Sequence, residues 1–274
     1  AVAAATGRMI LAEGWSPPEL GEAVYAQRRE ARLLLPIGPD ARQVRFDLWA
    51  LAPDQEVTLV VNGREIGRTA VPLERASVRF DLPADLTPSL LSDVRLRFSA
   101  LRPVTEIVAA TAEPPFSLVV RSAGQETGDF AHIYVNGVDR SPNRRGYNLV
   151  ALHPADGRVL AAAAFDTHAD PAASSELAAW VRALPPGTVV AGAIRDEATH
   201  NLGQEAVDAL HTIGSAADLR RHFRWGHAFI GAAGAPQTPA QEEVSGWRVA
   251  QATLGMTTTA PQVAAALLCV EVVK

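Results

Sequence analysis

Apolar and polar residues alternate over short runs in the first hundred positions. "ASVRFDL" and "VRLRFSAL" put every second residue on one face, the period of a half-buried strand. "ARLLLPI" and "VRFDLWAL" are apolar runs of strand length. "VTLVVNGREIG", Val57–Gly67, reads as strand, turn and return strand, because Asn62-Gly63 accepts the two positive φ angles of a tight hairpin. Pro83, Pro88 and Pro103 punctuate the links. Several short strands at this spacing predict an antiparallel β-sandwich from about Met9 to Pro103.

After "VTEIVAATAEPPF", Val104–Phe116, the period changes. "FSLVVRSAG", "HIYVNGVDR" with its Asn136-Gly137 turn, and "GYNLVAL" with "RVLAAAAFDT" around Asp156-Gly157 still read as strands and hairpins. Helices then enter. In "SSELAAWVRALPPG", Leu177, Trp180, Val181 and Leu184 fall at i, i+3, i+4 and i+7, with Ser174 or Ser175 as cap and Pro185 as stop. "TVVAGAI" reads as a buried strand. "NLGQEAVDALHTIG" offers Asn201 and Gln204 as a capping box, Val207, Leu210 and Ile213 as an apolar stripe, and Gly214 as the close. "SAADLRRHF" predicts a short third helix and "HAFIGAAG" another strand. The last apolar run, "VAAALLCVEVV", predicts a strand returning to the N-terminal sandwich. The pattern thus divides the chain into a β-sandwich module (1–103), a linker (104–115), a second module mixing strands and helices (116–256) and a C-terminal strand (257–274).

Composition narrows the function classes. Of 274 residues, 48% are apolar and 20% charged, so the chain can build a packed core and is not disordered. The longest apolar run is broken by Glu271 and falls short of the roughly 18–20 residues of a membrane span. Net charge is −5, Lys274 is the only lysine, and no basic stripe exists, which argues against nucleic acid as a partner. Cys269 stands alone, so neither a disulfide framework nor a cysteine zinc site is available. The opening "AVAAATG" reads as a processed end or as a cut from a larger protein.

Charge crowds one junction, "IRDEATHNL", Ile194–Leu202. Asp196, Glu197 and His200, with Asp166, His168 and Asp170 of "DTHAD", offer mixed His/carboxylate ligands for a metal-dependent hydrolase, yet the helical HExxH spacing is missing. No G-x-S-x-G elbow exists, and "GAAGAP" lacks the lysine and helix of a phosphate loop. A recognition site is the third reading. Arg145, Asp196 and Arg224 each flank a predicted strand; at one rim they would present two guanidinium forks and one acceptor to the vicinal hydroxyls of a sugar. Trp225, Tyr147 or His227 would stack on its apolar face. The same three residues also fit a structural Arg–Asp–Arg bridge that pins loops. Trp15, in "GWS", reads first as a core residue and second as a sugar platform.

Three segments in order carry a resemblance: "RRGYNLVALHPADGRVLAAAAFDTH", "LPPGTVVAGAIRDEATHNLGQEAVDALHTIGS" and "FRWGHAFIGAAG". From about 116 to 256 the chain resembles the interleukin-like EMT inducer (ILEI) family, found in secreted cytokine-like proteins and as the stem domain of protein O-mannose N-acetylglucosaminyltransferase. The resemblance implies two antiparallel sheets with two or three flanking helices, hence an α+β fold overall. It also implies sugar binding through an Arg opening the "RG" strand, an Asp in the "DE" turn and an Arg before the last strand, positions held here by Arg145, Asp196 and Arg224. The chain departs from the family in lacking paired cysteines and in holding His227 where an aromatic is expected. "AEGWSPPELGEAVYAQRREARLLLPI" with "VTLVVNGREIGRTAV" resembles β-sandwich modules of bacterial cell-envelope proteins. The resulting expectation is a non-catalytic, cofactor-free, metal-free extracytoplasmic protein that binds a glycan, possessing no membrane span of its own but fitting within a larger membrane-anchored protein. The alternatives are an accessory or interaction subunit of a cell-envelope or membrane complex, and the metal-dependent hydrolase.

Overall fold

Period-2 burial sets the first half of the chain. Along β1 (Glu30–Ile37) and β2 (Gln43–Ala50) every second residue is buried, which turns Leu33, Leu35, Phe46 and Leu48 inward. A computed structural model of the protein describes residues 3–4, 10–17, 23–111 and 114–274. The expected strand onset at Met9, the stretch 18–22 of the envelope-module resemblance and positions 112–113 of the expected linker lie outside the described residues. The chain forms two compact units, one of residues 1–110 with 260–274, the other of 111–259.

In the first unit, β3 (Glu56–Val61) and β4 (Arg64–Ala70) form the hairpin read from the sequence, with Asn62 and Gly63 at φ 50° and 83°. With β5 (Ala76–Asp81) and β6 (Ser89–Phe98) they complete two sheets. One sheet holds β1, β6, β3 and β4 in that order; the other holds the C-terminal strand Ala265–Val273, β2 and β5. A single apolar cluster includes Leu33, Phe46, Leu59, Phe80, Leu96 and Leu267, drawn from both sheets. Trp15 belongs to it: the ring is buried and Nε1 donates to the Arg32 carbonyl at 2.9 Å, so the sugar-platform alternative for Trp15 falls. Within the segment expected as a linker, Val104–Thr111 is helical (α1).

The second unit begins with β7 (Leu118–Gly124) and β8 (Phe130–Val135), then β9 (Gly146–Leu152) and β10 (Val159–Phe165). Helix α2 (Ala173–Arg182) leads into β11 (Val189–Asp196), and helix α3 (Gln204–His211) into β12 (Gly226–Ala232). The strands β13 (Gln241–Ser245) and β14 (Ala250–Leu254) close the unit. Two antiparallel sets emerge: β7 between β8 and β14, and β11 between β9 and β12. A two-residue parallel contact, Ala123 with Arg195 and Gly124 with Asp196, joins them, together with the two-residue strand Val138–Asp139 beside β8, into one mixed sheet of nine strands among the described residues.

Both faces of β9, β11 and β12 are covered, which explains their unbroken apolar sequences. Leu149, Val190, Ile194 and Phe229 pack with Leu177 and Val181 of α2 and Val207 and Leu210 of α3. Val150, Ala191, Ala193, Ala228 and Ile230 face Leu118, Val120 and Ile133 of the other strand set. The fold is therefore mostly β with a few helices, the coarse α+β class expected.

Three local expectations are corrected. Helix α3 starts after Gly203, not at an Asn201 cap; the Asn201 side chain donates to the His168 carbonyl, and Ser174 Oγ accepts the Gly203 N–H at 2.8 Å. Ser174 and Ser175 lie inside α2, whose N-cap position is Ala172. "SAADLRRHF" is irregular chain and turns instead of a helix, held where Glu242 accepts from the Ser215 hydroxyl and the Ala216 N–H, both at 2.7 Å, and Asp218 bonds Arg220.

Candidate functional site

The parallel contact between β7 and β11 is where the three predicted residues meet. Gly146 pairs with Arg195, so Arg145 lies across from Asp196. Gly124 pairs with Asp196, and its α-carbon faces the Arg224 carbonyl so closely that a Cβ would stand 1.7 Å from that oxygen. Asp196 and Arg224 both adopt φ 61°. Non-glycine residues rarely hold that left-handed conformation, and where they do it concentrates at functional sites.

The charges at this rim are paired outward, not with one another. Arg145 grips Asp166 through Nε at 3.0 Å and a terminal nitrogen at 2.7 Å. Burial alone would raise the Asp166 carboxyl, but Arg145 and the Ala169 N–H hold it below the usual carboxylate range. Arg224 donates to Glu126 at 2.7 Å and lies 4.8 Å above the Phe223 ring. Arg195 donates to the Asn143 carbonyl at 2.7 Å and to Asp129 at 3.2 Å, pinning two loops. Both Arg145 and Arg195 feel the Asp196 charge. Among the described residues no donor is hydrogen-bonded to the Asp196 carboxylate, which is half-exposed. The arrangement is an open acceptor flanked by guanidinium groups that retain spare N–H donors.

Beside the half-buried Arg195, Glu197 is enclosed within the turn. Glu197 is 2% exposed and is the turn's internal anchor. It accepts from His168 Nδ1 at 2.5 Å, the Thr199 N–H at 2.6 Å, the Thr199 hydroxyl and the His200 N–H. Burial pushes its carboxyl up, and these donors more than offset the push, leaving it below its ordinary value. The His168–Glu197 pair is thus part of the loop's framework. Among the described residues no group of three His, Cys, Asp or Glu side chains is placed to hold a metal ion, so Asp166, His168, Asp170, Asp196, Glu197 and His200 do not assemble the ligand set of the hydrolase alternative.

Two expected stacking residues are corrected. Tyr147 and His227 are both 0% exposed. They sit in a buried chain in which the Tyr147 hydroxyl meets His227 Nδ1 at 3.4 Å and His227 Nε2 meets Glu242 at 3.0 Å. Neither ring reaches a surface where a sugar could lie. Burial pushes the Tyr147 hydroxyl up, and Glu242, although burial opposes it, is held at about 2 by His227, Ser215 and the Ala216 N–H. Trp225 is half-buried and stays near the rim, with Trp247 centred 5.3 Å from it. Trp247, Phe223, Glu126 and Asp129 were not singled out from the sequence. The partners come from loops far along the chain, and the aromatics lie in turns where periodicity has nothing to report.

Comparison with known proteins bears out the family resemblance. Residues 145–235 match the family model of the interleukin-like EMT inducer, narrower than the 116–256 expected. The cell migration-inducing and hyaluronan-binding protein of Homo sapiens is 28% identical over 106 residues, covering 39% of this chain and 8% of that protein. Its Mus musculus counterpart aligns with the same figures, 28% over 106 residues. The chain therefore spans less than a tenth of the length of these relatives. Among solved structures, the β-glucuronidases of Lactobacillus rhamnosus and of Ruminococcus gnavus with D-glucuronic acid each give a TM-score of 0.22. They are 11% and 10% identical, each over 80% of this chain and 35% and 36% of theirs, a likeness too slight to carry any argument.

Proposed function

We propose, from the premise that residues 145–235 carry an interleukin-like EMT inducer domain, that this chain is a non-catalytic glycan-binding protein working outside the cytoplasm. Arg145, Asp196 and Arg224 hold the sugar, and the sandwich-like first unit acts as its scaffold. The observation that carries this reading is the Asp196 carboxylate, to which no donor is hydrogen-bonded among the described residues, held at positive φ beside the Arg145 and Arg195 guanidinium groups, themselves anchored by Asp166 and Asp129. A carboxylate accepting two vicinal hydroxyls contributes about 3–6 kcal/mol gross. Association costs of about 4–15 kcal/mol absorb most of that, so binding of a single ring is weak and depends on the added guanidinium donors.

The charge balance points to an uncharged sugar. Arg145, Arg195 and Arg224 each already have a carboxylate of their own, so these three offer a sugar hydrogen-bond donors without an unpaired positive charge. The name of the mammalian relatives records hyaluronan binding; here Arg145, Arg195 and Arg224, already paired, leave no surplus positive charge to draw in an anionic chain. A glycan array probed with the wild type and Arg224→Ala tests the reading. It should show neutral glycans bound by the wild type and lost in the variant, with hyaluronan spots empty. No binding by the folded wild type, or identical profiles, overturns it.

A second reading, an interaction subunit of a larger envelope or membrane complex, draws on the first unit. There Leu90 and Leu91, side by side at the start of β6, are 87% and 57% exposed. No helix among the described residues is long and apolar enough to cross a membrane.

A further inference from the structure

Trp247 is 76% exposed and Phe223 59%, far more than a domain of this kind leaves its aromatics elsewhere among the described residues. Both are continuous with the rim just described. The β12–β13 ladder pairs Gly226 with Ser245, so carrying the register outward sets Arg224 and Trp247 at the same end of the hairpin. Phe223 lies directly under the Arg224 guanidinium, 4.8 Å from ring centre to Cζ.

The Trp247 ring is positioned, not loose. Trp225 meets it edge-on, with the ring planes at 70°, and His222 in turn packs on Trp225 at 4.6 Å. Trp225 lies against the β13–β14 turn at Gly246, where a Cβ would come within 2.4 Å of its Nε1. Ser245 Oγ accepts the N–H groups of Trp247 and Arg248, at 3.4 and 3.2 Å, and Arg248 pairs with Glu243. Exposing an indole to water is unfavourable, and here a whole local framework holds it exposed.

A pyranose ring has an apolar C–H face and a hydroxylated edge. A fixed aromatic plate at the Arg224 end of a rim that also carries a charged acceptor matches that two-sided chemistry. We infer that Trp247, with Phe223, forms a second subsite that takes the apolar face of the ring next to the one held by Asp196, so that the natural ligand is an uncharged oligosaccharide of at least two rings. The inference rests on the glycan reading above, and the experiment separates the two.

The test titrates matched neutral mono- and disaccharides, chosen from array hits, into wild type, Trp247→Ala, Trp247→Phe and Asp196→Asn. The wild type should bind the disaccharide about tenfold more tightly than its monosaccharide, a difference of about 1.4 kcal/mol. Trp247→Ala should lose that advantage while keeping monosaccharide affinity, and Trp247→Phe should restore part of it. Disaccharide should also shield wild-type tryptophan emission from acrylamide, and Trp247→Phe should show less shielding. Equal disaccharide binding by wild type and Trp247→Ala overturns the second subsite and leaves the clamp standing. So does a Trp247→Ala variant that loses both sugars equally, since Trp247 would then serve the first ring. A wild type that binds neither sugar, or a Trp247→Ala effect seen only with a protein partner, overturns both.

Discussion

Gly124 is the point on which the rim geometry turns, and Gly124→Ala puts it under load. Its backbone, φ −65° and ψ 176°, lies in a region any residue adopts, so the substitution introduces no torsional strain. The conflict is spatial. The new methyl would sit 1.7 Å from the Arg224 carbonyl oxygen and 2.6 Å from its carbon, against 3.4 Å for ordinary contact. Those atoms are backbone and cannot rotate aside, so the peptide after Arg224 must retreat by more than an ångström. Retreat is resisted at once downstream, where the His227 N–H bonds Ser122 Oγ at 2.9 Å and even a Cβ on Gly226 would stand only 2.8 Å from the Ser122 carbonyl. Overpacking in a well-filled site costs about 1–3 kcal/mol, and an immovable neighbour places this case at the upper end. For a chain of this size that lowers Tm by roughly 5–12 °C. It also carries Arg224 away from Asp196, so sugar binding falls by more than the stability loss alone would cause. Circular-dichroism melting with a sugar titration measures both effects. Gly38→Ala is the control, since nothing lies within 4 Å of the methyl it would add. A Gly124→Ala protein that melts within a degree of wild type and binds sugar equally well refutes the reasoning.

Other consequences follow from the buried groups. The Glu242 carboxyl is held at about 2 in the folded chain against an ordinary 4.5. Its contribution is therefore fully present above about pH 4.5 and lost as pH falls through about 2, amounting to about 3 kcal/mol. Glu242→Gln should lower Tm at pH 7 and flatten the acid-unfolding profile between those limits; an unchanged profile would show that Glu242 is not the titrating anchor. Tyr147→Phe removes a long 3.4 Å hydrogen bond inside the core. It should cost about 1 kcal/mol or less in a denaturant titration and leave sugar affinity unchanged; a large affinity loss would return Tyr147 to the ligand surface.

The sequence was legible where local chemistry decides. Asn62-Gly63 and Asn136-Gly137 form turns with both residues at positive φ, because few other pairs tolerate that backbone. The Leu177–Val181 stripe of α2 faces the core as its spacing required. The third helix did not form: the stretch is instead held by bonds from Glu242, 26 residues past Ala216, and from Asp218 to Arg220, which local periodicity does not report. Tyr147 and His227 were misplaced for a related reason. Period-2 patterning separates inside from outside only when one face is wet, and β9 and β12 are dry on both. A rim of Arg145, Asp196 and Arg224 was read from their places beside predicted strands and reinforced by the family resemblance, whereas their anchors were not read at all. Glu126 lies 98 positions from Arg224 and Asp129 lies 66 from Arg195, separations that no local pattern spans.

The central claim is that the free Asp196 carboxylate accepts a sugar's hydroxyls. Calorimetric titration of an array-selected neutral oligosaccharide into wild type and Asp196→Asn addresses it directly, because the amide keeps the size and removes the charge. A folded Asp196→Asn protein with affinity reduced at least about tenfold, the worth of one charged hydrogen bond, is the predicted result. Equal heats and equal affinity for the two proteins would contradict the claim.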